Sequence, residues 1–170
     1  MELYMTDTST LENDILETME IVMLQPLHGA FNPKVCFSSK NREVRISTVW
    51  AEFRKRFLGK SESGPPAVSL HKYRLKKISP DGPIIEALGG ESAVETNIAS
   101  IYAMIKQQAF GQPGPLQING YANIFYARCK EGLLCAVRVG WDGEGWIIDA
   151  IPVRDPLAWN GQHQIFCPVA

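Results

Sequence analysis

The sequence has little of what usually identifies a metal site or a disulfide scaffold. It contains four cysteines and three histidines, and no two cysteines form a C-x-x-C pair. Structural zinc sites usually take their ligands from such closely spaced pairs. We therefore expect no metal and no other cofactor, and we expect the cysteines to be free thiols. They are Cys36, Cys129, Cys135 and Cys167.

The chain also lacks a long hydrophobic run. Its first residues, MELYMTDTSTLENDIL, are acidic and polar, without the positive start and apolar centre of a signal peptide. No stretch approaches the roughly 20 apolar residues that a membrane-spanning helix requires. These absences predict a cytoplasmic protein with no membrane partner, in which thiols stay reduced.

The common motifs of catalysis and nucleotide binding are missing too. The strings G-x-S-x-G, H-E-x-x-H, G-x-G-x-x-G and G-x-x-x-x-G-K-[ST] do not occur, which removes the usual routes to a hydrolase, a metalloprotease or a nucleotide-binding protein. A small enzyme with a Cys/His or carboxylate site stays open as one hypothesis. In it, Cys36 or Cys135 would need a histidine base, His71 or His163, close in space. All four cysteines lie in apolar runs, which is typical of buried, unreactive thiols.

What the chain does have is a segregation of charge. The formal net charge is −1, but residues 1–39 carry a net −5, residues 40–77 a net +8, and the remaining residues a net −4. The middle segment holds eleven of the 17 lysines and arginines. Such a basic segment can bind an acidic protein surface or a phosphate backbone.

We interpret segment 40–77 as an interaction surface. The first hypothesis is a non-enzymatic binding or regulatory protein whose partner has an acidic surface. The alternative is a nucleic-acid-binding protein that contacts the phosphate backbone through the same segment. The oligomeric state is not indicated. The candidate contact residues are Arg42, Arg45, Arg54, Lys55, Arg56, Lys60, Lys72, Arg74 and Lys76.

A simpler explanation of the basic segment competes with both hypotheses. A charged face is often only solvated, and acidic residues near the N-terminus could lie over the segment and neutralise it. The residues that would do so are Glu12, Asp14, Glu17 and Glu20.

Hydrophobic periodicity predicts an α+β fold. A helix is predicted over residues 10–24 from apolar residues at helical spacing and a capping box of Ser9 and Glu12. A basic hairpin, helix and strand follow, with strands at 34–38 and 42–46, a helix capped by Ser47 over 48–58, and a strand over 68–78. The loop 59–66, GKSESGPP, separates the last two.

The second half predicts a helix packed on a sheet. Ser92 and Glu95 form a capping box for a core-facing helix over 92–108. Strands over 122–129, 133–141, 146–153 and 163–169 then predict a four-stranded antiparallel meander, with a helical turn from Asp155 to Trp159 before the last of them. Residues 1–110 would form the helical and basic α/β segment and residues 111–170 the antiparallel unit, together making one compact domain.

The stretch VGWDGEGWIIDAIPV predicts a hairpin with a defined register. A turn on Gly143 and Glu144 places Trp141 opposite Trp146 and Arg138 opposite Asp149. A carboxylate that faces an arginine has a lowered pKa and is a poor general base near neutral pH. We therefore interpret Asp149 as structural, and the two tryptophans as a cross-strand aromatic pair.

Overall fold

The molecule is organised by one mixed sheet with helices on both faces. A computed structural model describes residues 14–59, 65–155 and 157–169. The strands are β1 (Leu16–Met23), β2 (Ile46–Val49), β3 (Ser69–Leu75), β4 (Ser79–Pro80), β5 (Asn123–Arg128), β6 (Leu134–Trp141), β7 (Trp146–Pro152), β8 (Ala158–Trp159) and β9 (Gln164–Pro168). The helices are α1 (Pro33–Cys36), α2 (Ala51–Phe57), α3 (Asp81–Ala87), α4 (Glu91–Val94) and α5 (Ile98–Lys106).

The main sheet has seven strands in the order β1-β3-β9-β5-β6-β7-β2, and β4 pairs with β8 in a second small sheet. Neighbouring strands are antiparallel except for β5 with β9 and β2 with β7, which are parallel. The predicted α+β class is confirmed, and the sheet is mixed. Within the described ranges, no helix is both long enough and apolar enough to cross a lipid bilayer.

The C-terminal strands form only part of the predicted meander. β5, β6 and β7 follow one another as antiparallel neighbours. β9 does not extend this series, because β2 occupies the free edge of β7 and β9 lies between β3 and β5. Four of the five residues of β9 are buried, as suits a strand that is paired on both sides.

The helix predicted over 10–24 is wrong where the structure describes it. Residues Leu16–Met23 are strand β1, which pairs antiparallel with β3 and carries a bulge between Thr18 and Ile21. Non-local strand pairing here overrides the local helical spacing of apolar residues. The capping box of Ser9 and Glu12 lies outside the described residues.

The segment between β1 and α2 also differs from the prediction. Residues 33–36 form helix α1, which begins at Pro33. Its cap is Asn32, and the Asn32 side chain accepts a hydrogen bond from the Lys34 amide at 3.1 Å. The second predicted strand starts only at Ile46 and is β2. Ser47 does not cap α2, because it lies within β2 and the helix begins at Ala51 with Trp50 as its cap. The Ser47 hydroxyl instead donates to Asp142 Oδ2 at 2.6 Å.

The long helix predicted over 92–108 is two helices. The chain leaves α4 at Glu95, and the Thr96 amide donates to the carbonyl of Tyr126 at 2.7 Å. The cap of α5 is Asn97, whose side chain accepts from the Ser100 amide at 2.9 Å. The predicted Ser92 capping box is wrong, because the helix begins at Glu91 with Gly90 as its cap. The backbone bond from Thr96 to β5 interrupts the predicted long helix.

The sheet separates two hydrophobic cores. The first core lies between the sheet and α1, α2 and α5, and includes Phe53, Ile101 and Trp146. The second core lies on the other face with α3, α4 and the β4–β8 sheet, and includes Ile84 and Tyr126. A helical turn was predicted from Asp155 to Trp159, but Ala158 and Trp159 form strand β8. Pro156 lies outside the described residues.

The hairpin register is confirmed. Trp141 faces Trp146 and Arg138 faces Asp149, with the indole rings 5.3 Å apart at 72° and the ion pair at 3.3 Å. Trp146 is fully buried and its Nε1 donates to the Gln108 carbonyl at 2.8 Å. The residues that follow α5 thus lie over the tryptophan face.

Gly145 is required by the close approach of β2 to β7. A Cβ at this position would lie 2.6 Å from the Ser47 amide nitrogen and 3.1 Å from the Arg45 carbonyl oxygen. Both are backbone atoms, so relief requires opening the pairing of these strands. We expect Gly145→Ala to lower the free energy of unfolding by about 1–3 kcal/mol in urea denaturation. Gly82→Ala is the control, because a Cβ there meets nothing within 4 Å; an equal effect of both substitutions would contradict this account.

Candidate functional site

The fold divides the basic segment into two parts with different surroundings. Basic residues of β3 and of the turn that follows it form ion pairs with acidic residues in and just before β1. The pairs are Lys72 with Glu20 at 3.1 Å, Arg74 with Glu17 at 3.2 Å, and Lys77 with Asp14 at 2.9 Å. The hydrogen bond from Lys77 holds the pKa of Asp14 below its usual value. This part of the segment is neutralised within the fold. Glu12 lies outside the described residues.

The second part of the segment borders a cavity of about 560 Å³. The cavity is enclosed by the loop 27–31, by α1, by the turn 38–43 and by α5. Positive side chains surround its mouth, and Glu43 is the one carboxylate among its lining residues. That carboxylate is already 3.5 Å from Lys106 Nζ. The cationic residues of the lining are Lys34, Lys40, Arg42 and Lys106.

A second cavity, of about 320 Å³, adjoins the first. The two share Lys34 and Ser38, and the second adds Arg54 and the hydroxyls of Ser39, Ser47 and Thr48. Arg54 is held in place because its Nη1 donates to the Val49 carbonyl at 2.8 Å. We call the two cavities together the cationic groove, defined by Lys34, Lys40, Arg42, Arg54 and Lys106.

The floor of the first cavity is uncharged. The ring of Phe31 lies 5.9 Å from that of Tyr102, and the Asn41 side-chain amide donates to the Tyr102 hydroxyl at 3.0 Å and to the Cys36 carbonyl at 2.9 Å. Burial raises the pKa of Tyr102 to about 12 and also raises the pKa of the Cys36 thiol. Both groups are therefore neutral near pH 7, and the charge of the cavity is confined to its mouth.

The candidate contact residues fall in several places. Arg42 and Arg54 line the groove, whereas Arg45 and Lys55 are exposed outside it. Arg56 is half-buried and pairs with Glu52 at 3.0 Å. Lys72 and Arg74 are in the ion pairs with β1, Lys76 is exposed near Asp14, and Lys60 lies outside the described residues. The fold thus brings together a subset of the predicted residues.

Sequence reasoning missed three cations of the groove. Lys34 lies in the acidic first third of the chain, Lys106 is at the end of α5, and Lys40 was counted in the basic segment but not among its contact residues. The Asn32-Pro33 pair, a cap followed by a first-turn proline, is the signal that could have placed Lys34 on a helix. No local signal places α1 against α5, where the rings of Phe37 and Tyr102 lie 5.7 Å apart.

Burial makes Cys36, Cys135 and Cys167 poor nucleophiles. Burial raises the pKa of Cys135 to about 12 and that of Cys167 to about 11, although Cys167 faces His71 across β9 and β3. A thiol with such a pKa is rarely ionised near pH 7. In the described part of the chain, no three His, Cys, Asp or Glu side chains are grouped to hold a metal ion.

One buried carboxylate was not anticipated. Asp81 is 1% exposed, and its Oδ1 accepts hydrogen bonds from the Tyr126 hydroxyl at 2.8 Å and from Trp159 Nε1 at 2.7 Å. Its Oδ2 is buried and has no hydrogen-bond partner among the described residues. Burial raises the pKa of Asp81, and the two hydrogen bonds only partly oppose this shift. The group lies in the second core, away from the cationic groove.

The chain matches no known protein family, no curated protein and no solved structure, so its function has to be argued from the groove. The first cavity of the groove combines four lysine and arginine side chains with an uncharged aromatic lining.

Asp81 makes a testable contribution to stability. Because its pKa is higher in the folded than in the unfolded protein, the folded state binds the proton more tightly. Protonated Asp81 therefore contributes its whole stabilisation at a pH below the pKa that it has in the unfolded protein. That contribution is lost as pH rises through the pKa that it has in the folded protein. We compare the free energy of unfolding of the wild type with that of Asp81→Asn. We expect the wild type to lose stability relative to the variant as pH rises from about 4, the ordinary pKa of Asp, to neutral pH.

The matched control is Asp142→Asn. Hydrogen bonds from the Ser47 hydroxyl and from backbone amides lower the pKa of Asp142. The free energy of unfolding of the wild type, compared with that of Asp142→Asn, should therefore rise with pH over the acid range. Chemical denaturation of both variants at a series of pH values measures the slopes. Equal slopes for the two variants would contradict the environment described for Asp81.

Proposed function

We propose that this protein is a non-enzymatic binding protein that holds an acidic segment of a protein partner in the cationic groove. The observation that carries the proposal is the charge of the first cavity: four Lys or Arg side chains at its mouth and one carboxylate, which already pairs with Lys106. Complementary charge speeds association and favours the correct partner over others.

The state of the other basic residues strengthens the proposal. Lys72, Arg74 and Lys77 have carboxylate partners in β1. By contrast, Lys34, Lys40 and Arg42 are exposed and take part in no ion pair with the residues that the structure describes. Like charges gathered at one mouth repel one another, and an acidic segment in the groove would relieve that repulsion.

Two features favour a protein over a nucleic acid. The groove supplies five lysine and arginine side chains over two small cavities on a chain whose formal net charge is −1, which suits a short acidic segment better than a long polyanion. The rings at the cavity floor pack against each other, with Phe31 edge-on to Phe37 at 6.2 Å and Tyr102 only 4% exposed. They therefore form no row of open ring faces on which several successive bases could stack.

Charge reversal in the groove tests the proposal. We expect Lys40→Glu/Arg42→Glu to weaken the binding of a fluorescein-labelled Asp/Glu-rich peptide by about tenfold or more, because two attractive contacts become repulsive. The matched control is Lys55→Glu/Lys130→Glu, which makes the same change in net charge at exposed lysines outside the groove. Its affinity should stay within about twofold of the wild type.

Fluorescence anisotropy at increasing salt measures both affinities, and binding to the wild type should weaken as salt screens the exposed charges. Equal loss in the two double variants would show that net charge and not the groove governs binding. A labelled single-stranded oligonucleotide that binds the groove more tightly than the peptide does would replace the protein partner with the nucleic-acid alternative. Absence of peptide binding at low salt would overturn the proposal.

A further inference from the structure

We infer that the acidic segment of the partner carries a large apolar side chain, aromatic or leucine-like, that enters the first cavity between Phe31, Tyr102 and Leu27. This inference rests on the proposed function and names the chemistry of the partner: an uncharged anchor flanked by acidic residues.

The distribution of charge inside the cavity excludes an anion from its floor. Lys34, Lys40 and Arg42 are exposed and Lys106 is partly exposed, which places the charges at the mouth of the first cavity. Tyr102 is 4% exposed, and Phe31 and Cys36 are partly buried, so the deeper lining is neutral. A carboxylate that moved to the floor would lose water without gaining a cation, which is costly. The part of the partner that enters is therefore uncharged, and its carboxylates stay at the mouth.

The lining of the cavity matches an apolar side chain. Leu27, Phe31 and Cys36 are partly buried and pack against the first core, and Val35, which is 64% exposed, borders the same cavity. A volume of about 560 Å³ falls within the usual range of ligand pockets. Exposed apolar surface that is ringed by polar groups marks an interaction site.

Hydrogen bonds connect the segments that line the cavity. Asn41 links the turn 38–43 to α5 and to α1 through its bonds to Tyr102 and Cys36. The approach to the loop 27–31 is tied to the end of α5, because the Gln25 amide donates to Gln107 Oε1 at 2.8 Å. A preformed pocket lowers the ordering cost of binding, and interface energy concentrates in a side chain that fills such a pocket.

Peptides that differ only at the centre test the inference. The probes are labelled Glu-Asp-Glu-Phe-Glu-Asp-Glu and the versions with Leu, Ala or Glu at the central position. We expect the Phe and Leu peptides to bind the wild type about tenfold or more tightly than the Ala peptide, and the Glu peptide to bind no better than the Ala peptide despite its extra charge.

Variants of the cavity locate the effect. Phe31→Ala should remove most of the preference for Phe over Ala while leaving the binding of the Ala peptide within about twofold. The matched control is Phe110→Ala, which removes the same ring at a site 61% exposed and outside the cavity, and it should leave the preference unchanged. Near-ultraviolet circular dichroism and thermal unfolding show whether each variant is folded.

A measurement on the wild type avoids dependence on the variants. A peptide with p-benzoyl-phenylalanine at the centre should, on irradiation, crosslink to residues 27–36 or to Tyr102, located by mass spectrometry. Crosslinks confined to other segments would overturn the inference. If the Phe and Ala peptides bind equally and both lose affinity in Lys40→Glu/Arg42→Glu, the proposed function stands and the inference is wrong. If no peptide binds, both are wrong.

Discussion

The pairing of β1 with β3 decides where positive charge remains on this molecule. Cross-strand ion pairs from Lys72 to Glu20 and from Arg74 to Glu17 neutralise the strand half of the basic segment. The bulge between Thr18 and Ile21 shifts the register, which lets carboxylates three positions apart serve the alternate residues Lys72 and Arg74. With that half paired, Lys34, Lys40 and Arg42, which lie in α1 and the turn 38–43, take part in no ion pair with the described residues. These three cations line the first cavity of the cationic groove, where we propose that the partner binds.

The groove depends in turn on the first core. Phe37, Phe53 and Tyr102 form a chain of ring contacts, with Phe37 and Phe53 4.9 Å apart, and these contacts fix α1 and α2 against α5. The charged residues of the short helices consequently project from a rigid base. Lys34 belongs to both cavities, so the same packing that buries Phe37 also holds the cation at the centre of the groove.

Local patterns predicted the elements whose partners are close in sequence. The β6–β7 hairpin is correct in register because its turn fixes which residues face each other. Prediction failed where residues distant in sequence determine the secondary structure. β1 is a strand because β3 lies beside it, and the helix predicted over 92–108 is interrupted because the Thr96 amide bonds to the Tyr126 carbonyl. β9 enters the sheet between β3 and β5 for a similar reason, since both of its neighbours are far away in sequence.

The candidate site, like the fold, could be predicted only in part from local sequence. Segregated charge pointed to Arg42 and Arg54, but it also included Lys72 and Arg74. The sequence offered Glu17 and Glu20 as neutralising residues, and only the pairing of β1 with β3 shows which cations they contact. Lys34 and Lys106 join the groove through the packing of α1 on α5, and Asp81 is buried by Tyr126 and Trp159 from distant strands. Charge in a sequence thus identified the segment, and tertiary contacts selected the residues.

Lysine acylation, followed residue by residue with mass spectrometry, tests the central claim most directly, namely that the fold pairs one half of the basic segment and leaves the other open. In the free protein, Lys34, Lys40 and Lys55 should react fast and Lys72, whose side chain is 7% exposed, should react slowly. Saturating acidic peptide should slow the reaction of Lys34 and Lys40 and leave that of Lys55 unchanged. Fast acylation of Lys72 in the free protein, or peptide binding that leaves Lys34 and Lys40 equally reactive, would contradict the account.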